Sequence, residues 1–429
     1  IMNFINDDLS NLIKNINFIS KKTALSIQNR NLILKEIAQE IRRRSQKIID
    51  MSHDDYKEAK EKGTEYSLLQ RLKLDANKIE SCAKGLEKLI DIDDPIGKTE
   101  FEKELDNGLI LTKKTYPIGV IGVILEARPD AFLQIIGIGI KTNNFMILKP
   151  GTEAQNTCSY LMAIVHQIIL KKQVPLEILT LLHARSQIDL LLKEDQYIDL
   201  IIPRGSKKLV EYIQQNTNIP VMGHADGVCH IFVDEINDVQ QSLEMIMDSK
   251  VQYPAACNAV ETVLINQSVA SEFLPLLVSR LDQLRVTIYA DHQVSKSLNR
   301  AFPLPESWSI EYGDHSISLK IVNGLDEAIT HINTYGSHHT DSIITQNSIN
   351  AKIFMQQTDS ANVYHNCSTR FADGYRYGFG AEVGISTNKI FPRGPVAIEG
   401  LTTYKYHLVG NLHTVSDYAD GTKKFKHSL

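Results

Sequence analysis

The sequence predicts an α/β protein of two α/β domains, each built on a mainly parallel sheet. Strand-like and helix-like stretches alternate through both halves of the chain, at lengths that suit strands joined by crossover helices. Many strand-like stretches are continuous apolar runs rich in β-branched residues, as in strands covered on both faces. The chain has 429 residues, 43% hydrophobic and 23% charged. That is too long for a single core and ordinary enough in composition to build two or three.

Taken in order, residues 4–93 read as helices. Apolar residues recur at three- and four-residue steps through 31–41, with charges between them. The run Arg42, Arg43, Arg44 reads as the solvated face of that helix, and Gly63, Pro95 and Gly97 punctuate the region. From Gly108 the pattern changes: 108–116 reads as an exposed strand and 117–125 as a buried one. A helix over 130–142, a strand over 145–149 and a helix over 153–171 follow. Then come a strand over 198–202, a helix over 207–215 and a strand over 228–233. The second half repeats the alternation. Strands are expected at 263–265, 286–289, 316–322, 342–345 and 361–364, with helices at 269–284 and 326–333 and a glycine-rich segment at 372–384.

Net charge is -5 with the two signs interspersed, which argues against a general nucleic-acid binder. The basic run Lys423, Lys424, Lys426 reads as a solvated tail. The five cysteines, Cys82, Cys158, Cys229, Cys257 and Cys367, lie far apart without a CxxC pair. That pattern suits thiols in a reducing, cytoplasmic compartment. No apolar run reaches membrane-spanning length, and residues 3–15 alternate apolar and charged side chains, unlike a secretory leader.

One stretch organises the chemistry: Tyr253-Pro254-Ala255-Ala256-Cys257-Asn258-Ala259, followed by the apolar run 260–265. Small neighbours keep the Cys257 sulfur approachable and the strand behind holds it. The alternative is a buried cysteine used as a small hydrophobe. Gly205-Ser206 opens a helix straight after a strand, where backbone N–H groups and the helix dipole suit a phosphate. Lys149, in Lys149-Pro150-Gly151-Thr152-Glu153, stands at a strand end within reach of a ribose, or else marks a plain turn. Arg128 and Arg370 each suit a carboxylate or phosphate, or else a structural ion pair. In Gly223-His224-Ala225-Asp226-Gly227-Val228-Cys229-His230 the spacing is poor for a metal, and no metal site is expected.

Together with 117–129, Pro203-Arg204-Gly205-Ser206, Tyr335-Gly336-Ser337-His338-His339-Thr340-Asp341, 368–374, 380–387 and Arg393-Gly394-Pro395, these windows resemble the γ-glutamyl phosphate reductases of the aldehyde dehydrogenase superfamily. The resemblance runs from about Lys35 to about Gly410. It implies an aldehyde dehydrogenase-like fold: a nucleotide-binding domain from 1–107 and 118–235, a catalytic domain from 236–395, and a small β oligomerisation element from 108–117 and 396–429. It implies NADPH as cofactor, γ-glutamyl phosphate as substrate, a place in proline synthesis beside glutamate 5-kinase, and a homo-oligomer, dimer or tetramer. By the same resemblance Cys257 is the nucleophile and Asp130 lies at the oxyanion position. Lys149, Glu153, Gly205, Ser206 and Glu311 contact the cofactor, and Arg128, Asn258 and Arg370 the substrate.

Three departures from the family pattern stand out. Pro150 precedes a single Gly151, and Asn143 stands where glycine is common. Asp130 replaces an asparagine that donates to the oxyanion in many relatives, and an ionised aspartate cannot donate. Two other readings are an acylating dehydrogenase that uses a coenzyme A thioester and a non-catalytic scaffold. The windows 368–374 and 223–227 argue against the first, and the intact cysteine window argues against the second.

Overall fold

The structure, a computed structural model, describes residues 2–223, 226–236, 238–390 and 392–426. The chain opens with helices α1 (Met2–Ser20), α2 (Ile27–Arg43), α3 (Ser45–Glu61), α4 (Tyr66–Leu72) and α5 (Ala76–Asp91). Ser26 caps α2 and Asp75 caps α5, each side chain accepting a backbone N–H of the first turn. The apolar stripe Ile33, Leu34, Ile37, Ala38, Ile41 is buried as its spacing predicts. Arg42 is more than a solvated face: it bridges Glu80 at 2.8 Å and Glu87, tying α2 to α5. Strands β1 (Thr99–Asp106) and β2 (Leu109–Pro117) follow. Nothing in the charged sequence of β1 announces a strand.

The expected strand over 117–125 is divided. Pro117 ends β2, Gly119 turns the chain at φ 135°, and β3 runs Val120–Leu125. A Cβ at Gly119 would lie 2.2 Å from Asp199 Oδ2, so the turn admits glycine alone. Then come α6 (Pro129–Lys141), β4 (Phe145–Lys149), α7 (Gln155–Lys171), β5 (Leu179–Leu181), α8 (Gln187–Leu191), β6 (Leu200–Arg204) and α9 (Lys207–Gln215). The β6 strand begins two residues later than expected and so runs directly into Gly205. These strands form a parallel sheet in the order β5-β4-β3-β6.

The second parallel sheet is built from β7 (Cys229–Val233), α10 (Val239–Val251), β8 (Val260–Asn266), α11 (Gln267–Gln283), β9 (Thr287–Ala290), α12 (His292–Ser297), β10 (Ser316–Val322), α13 (Leu325–Tyr335), β11 (Thr340–Ile344), α14 (Ser348–Gln357) and β12 (Asn362–His365). Its strand order is β12-β11-β7-β8-β10-β9. Helices α10, α12 and α14 extend the sequence expectation. The chain closes with β13 (Gly384–Ser386), β14 (Gly394–Val396), β15 (Thr402–Val409) and α15 (Val415–Ala419).

Two small antiparallel sheets complete the fold: β13 with β14, and β1-β2-β15. The final segment is not a loose tail. Tyr418 Oη donates to Asp106 Oδ2 at 3.0 Å, the Tyr418 and Phe425 rings stack at 4.3 Å, and Lys426 N donates to Leu105 O at 2.8 Å. Ala381, Val383, Val396, Ile398 and Leu401 are buried in the same core as the first sheet and the N-terminal helices. The segment after β12 therefore crosses back onto the first sheet. That crossing brings the two parallel sheets to one site.

Candidate active site

Cys257 sits in the loop between α10 and β8, and β8 lies inside its sheet between β7 and β10. The thiol is half-buried. Ala256 N donates to Tyr253 O at 3.2 Å and Ala259 N to Ala256 O at 2.9 Å, so the loop is a pair of tight turns. Gly227 packs against it face to face: a Cβ there would lie 2.0 Å from Cys257 O and 2.6 Å from Cys257 Cα. Cys229 Sγ donates to the same carbonyl at 3.3 Å. Asn258 Nδ2 donates to Ala372 O at 2.8 Å.

Cys257 opens into a cavity of about 640 Å³. Arg71, Arg128, Arg204, Arg370 and Arg376 line it, with Lys207 at its rim, against Glu65, Glu311, Asp373 and Glu382. Among the described residues, Arg71, Arg128 and Arg204 form no ion pair within 4 Å, and Nε of Arg71 and of Arg204 is buried without a hydrogen bond. Burial holds the guanidinium pKa of Arg71 and Arg204 below the usual value, and the charge of Arg128 adds to this in both. A negative charge on Cys257 opposes the shift in Arg71, Arg204 and Arg370. A site that crowds like charges together stabilises an anion bound among them. Arg370 Nε donates to Gln252 Oε1 at 3.0 Å, which fixes its plane beside the Tyr253 ring. Burial raises the Glu382 pKa, while Arg204 and the Gly374 N–H, 2.8 Å away, pull it down.

A second cavity of about 310 Å³ adjoins the first, and Leu68 lines both. Lys149, Glu153, Arg185 and Glu126 line the second. Lys149 is 3% exposed, its ammonium donates to Pro150 O, and burial lowers its pKa. Glu153 Oε1 accepts from Ala127 N at 2.7 Å. A Cβ at Gly151 would lie 2.1 Å from that oxygen, so a larger residue there would displace the Glu153 carboxylate. Between the cavities, Ser206 caps α9 by accepting from Leu209 N at 3.4 Å. Its own N–H donates to Glu126 Oε2 at 2.5 Å. A carboxylate thus occupies the helix start that the sequence marks for a phosphate.

The structure gathers Cys257, Arg128, Asn258, Arg370, Gly205, Ser206 and Glu311 at the larger cavity, and Lys149 and Glu153 at the smaller. Asp130 lines neither. It stands in the first turn of α6, where a carboxylate complements the helix dipole, and its backbone oxygen accepts from Cys82 Sγ at 3.9 Å. Sequence reasoning missed Arg71, Arg376, Glu126 and the close approach of Gly227. Asp226 is paired with Lys207 at 2.5 Å, and His224 lies outside the described residues. Among the described residues no three His, Cys, Asp or Glu side chains gather as a metal site needs, and no helix is long and apolar enough to cross a membrane.

The other thiols are poor nucleophiles by position. Burial pushes Cys82 up to about 12, raises Cys158 and Cys229 well above the ordinary thiol value, and raises Cys367.

Comparison with known proteins agrees with this geometry. Residues 19–296 match the model of the aldehyde dehydrogenase family. The chain is 48% identical over 382 residues to γ-glutamyl phosphate reductase of a Picosynechococcus species, covering 89% of each. It is 49% identical over 382 residues to the Pelotomaculum thermopropionicum protein of that name, covering 89% of this chain and 88% of the other. The crystal structure of γ-glutamyl phosphate reductase from Thermotoga maritima superposes with TM-score 0.89 at 32% identity, covering 95% of this chain and 99% of that one. A Methanocaldococcus jannaschii glyceraldehyde-3-phosphate dehydrogenase, solved with NADP, shares the fold at 16% identity and TM-score 0.69, over 95% of each chain. The chain belongs to the aldehyde dehydrogenase family and, within it, to the γ-glutamyl phosphate reductases.

Proposed function

We propose that the chain reduces L-glutamyl 5-phosphate to L-glutamate 5-semialdehyde and phosphate with NADPH, through a thioester on Cys257, as a step of L-proline biosynthesis. The observation that carries this reading is the convergence of Arg71, Arg128 and Arg204, none in an ion pair within 4 Å among the described residues, on the cavity of Cys257. An acyl phosphate that also bears a carboxylate matches that charge.

The residues present fit an adenine dinucleotide phosphate. The start of α9 already holds an anion, the Glu126 carboxylate, so its N–H groups suit a diphosphate once that side chain turns aside. Buried Lys149, with Glu153 beside it, suits the adenosine ribose, and Glu311 at the larger cavity suits the other ribose. Bound there, NADPH supplies the hydride.

The chain's own part follows from its groups. The Cys257 sulfur bonds to the acyl carbon, the carbon–oxygen bond to phosphate breaks, and phosphate leaves with the electron pair. After reduction the carbon–sulfur bond breaks and the electrons return to sulfur, freeing the aldehyde. Each tetrahedral stage carries a negative oxygen. Asp130 is outside the cavity, so backbone N–H groups around Cys257 are left to stabilise it. Hydrolysis of the thioester needs a base to activate water: Asp226 is tied to Lys207, and the window 223–227, which matches the place of a water-activating glutamate in hydrolytic aldehyde dehydrogenases, holds no glutamate.

The protein is read as cytoplasmic and as a homo-oligomer that meets glutamate 5-kinase in the pathway. The β1-β2-β15 sheet is the proposed oligomerisation element, since edge strand β15 exposes Tyr404, Tyr406, Leu408 and Val409. The test of function is NADPH oxidation with the acyl phosphate made in situ by glutamate kinase. In reverse, oxidation of the semialdehyde with NADP⁺ should require inorganic phosphate. Steady NADPH formation without phosphate, with glutamate as product, would make water the acceptor and overturn the mechanism.

A further inference from the structure

Beneath the nucleophile loop lies a buried ion pair that the chemistry above does not use. Lys250, in the last turn of α10, and Glu261, the second residue of β8, are both 0% exposed, with Nζ and Oε2 2.6 Å apart. The pair closes the two ends of the loop that carries Cys257. Glu261 also reaches a third segment: its Oε1 accepts from Gly313 N at 3.3 Å. Glu311, Tyr312 and Gly313 line the same cavity as Cys257. Tyr312 is anchored separately, its hydroxyl 2.8 Å from Ser318 Oγ and its ring stacked on Tyr289 at 5.1 Å.

We infer that Lys250 and Glu261 form a positioning pair whose carboxylate, through the Gly313 N–H, sets the 311–313 segment at a fixed distance from the strand that follows the Cys257 loop. Burying two full charges is costly, and apolar residues of similar volume would often serve stability as well. A reason to keep the pair is geometric. One carboxylate meets two separate segments, with one oxygen on each. Burial raises the Glu261 pKa against the pull of Lys250 and the Gly313 N–H, so losing either contact favours its neutral form. The inference rests on the proposed function in one respect: it takes Glu311 to be a cofactor contact. Glu261 touches no reacting atom and acts only through its neighbours.

Two double variants separate positioning from bulk stability. Lys250→Met with Glu261→Leu removes both charges and leaves no acceptor for Gly313. Lys250→Met with Glu261→Gln removes both charges but keeps an oxygen for Gly313. Four measurements apply to each: thermal midpoint, NADPH affinity by fluorescence, the burst of phosphate released from acyl phosphate without NADPH, and turnover. The leucine variant should keep the burst and lose NADPH affinity about ten-fold, equal to about 1.4 kcal/mol. The glutamine variant should stay within about three-fold of the wild type on the same scale. Equal affinity in both variants and the wild type overturns the inference. So does loss of the burst in step with affinity, because the pair would then serve the nucleophile loop alone. If the leucine variant does not fold, Glu261→Asp takes its place: it keeps the charge and draws the carboxylate back from Gly313, with the same expected loss. A wild-type protein with no NADPH-dependent reduction would instead refute the proposed function, a result distinct from any difference among the variants.

Discussion

The two parallel sheets meet at one site from opposite ends. In the first sheet every site residue follows a strand. Glu126 and Arg128 come after β3, Lys149 ends β4, and Gly205 and Ser206 come after β6. This is the usual arrangement for open α/β sheets, in which helix N-termini point at the ligand. In the second sheet Arg370 and Arg376 follow β12, while Gly227, Cys257 and Glu311 precede their strands, β7, β8 and β10. There the approaching helix offers its C-terminus, which carries a negative partial charge. A sulfur that must bear negative charge gains nothing from that end of α10. Its compensation comes from arginines on other elements. Arg71 comes from α4, Arg128 from the start of α6, and Arg204 from β6. The first sheet thus presents backbone N–H groups at its strand ends, while the positive charge around Cys257 comes from side chains on several other elements.

The largest expected effect separates the two sheets outright. Cys257→Ala should abolish reductase activity while NADPH binding survives, because the first sheet's strand ends and α9 are untouched. Activity and calorimetric binding on the same preparation decide it. Turnover near the wild-type level would end the covalent mechanism. Alanine at Cys82, Cys158, Cys229 or Cys367 should leave the chemistry in place.

Gly227→Ala tests the amino-end geometry without removing a functional group. The new methyl would meet the Cys257 carbonyl at 2.0 Å, and backbone cannot move aside as a side chain can. A displacement of about 1 Å at a reacting centre costs roughly a hundred-fold in rate. We expect kcat to fall by about that factor with NADPH affinity unchanged. An unaltered kcat would mean that the loop around Cys257 is slack.

Lys149→Ala makes the matching test on the first sheet. Removing a charge-assisted contact costs about 1.5–3 kcal/mol, or about one to two decades of affinity. The loss should be greater for NADPH than for NADH, with kcat at saturating cofactor close to the wild type. Equal losses for the two cofactors would show that Lys149 does not read the 2′-phosphate.

The two sheets also differed in how much of them was legible in sequence. Lys149, Gly205 and Ser206 stand where an apolar run stops, so strand ends marked them as candidates beside the plain-turn alternative, and the family resemblance chose between the two. Cys257 was legible because small residues and a following β-branched run frame it. Arg71 was not, since nothing local distinguishes it from a surface arginine. It joins the site only because α4 packs beside the first sheet. The segment 381–401 was opaque for the same reason: its return to the first core is a long-range contact. Strand β1 is mostly exposed and charged, so no apolar alternation marks it. Helix α10 did carry a signal. Leu243, Ile246, Met247 and Lys250 fall at helical spacing and are all buried, but a lysine on the inward face hides the stripe from a hydrophobic pattern.

The smallest effect concerns the support of the second sheet. His331, on α13, is 3% exposed, and its Nε2 has no hydrogen-bond partner among the described residues. The rings of His230, Trp308 and Tyr335 surround it at 5.6, 5.3 and 4.7 Å. Lys320 Nζ, which also lies 3.8 Å from Glu327, approaches its Nδ1 at 3.4 Å. Burial, and then the charges of His230 and Lys320, push its pKa from 6.5 down to about 3. The unfolded chain takes up this proton near pH 6.5, and the folded chain does so only near pH 3. The stability tied to His331 is therefore complete above pH 6.5 and drains away as pH falls toward 3. Between pH 6.5 and 5.5 the loss from this one group is about 1 kcal/mol. His331→Leu removes the titrating group while filling the space among the rings. Denaturant unfolding of the wild type and of this variant at several pH values should give curves that diverge below pH 6.5 by up to one proton in slope. Curves that stay parallel would mean that the folded protein already admits a proton at His331, and that the wall behind the second sheet is wetter than its packing indicates.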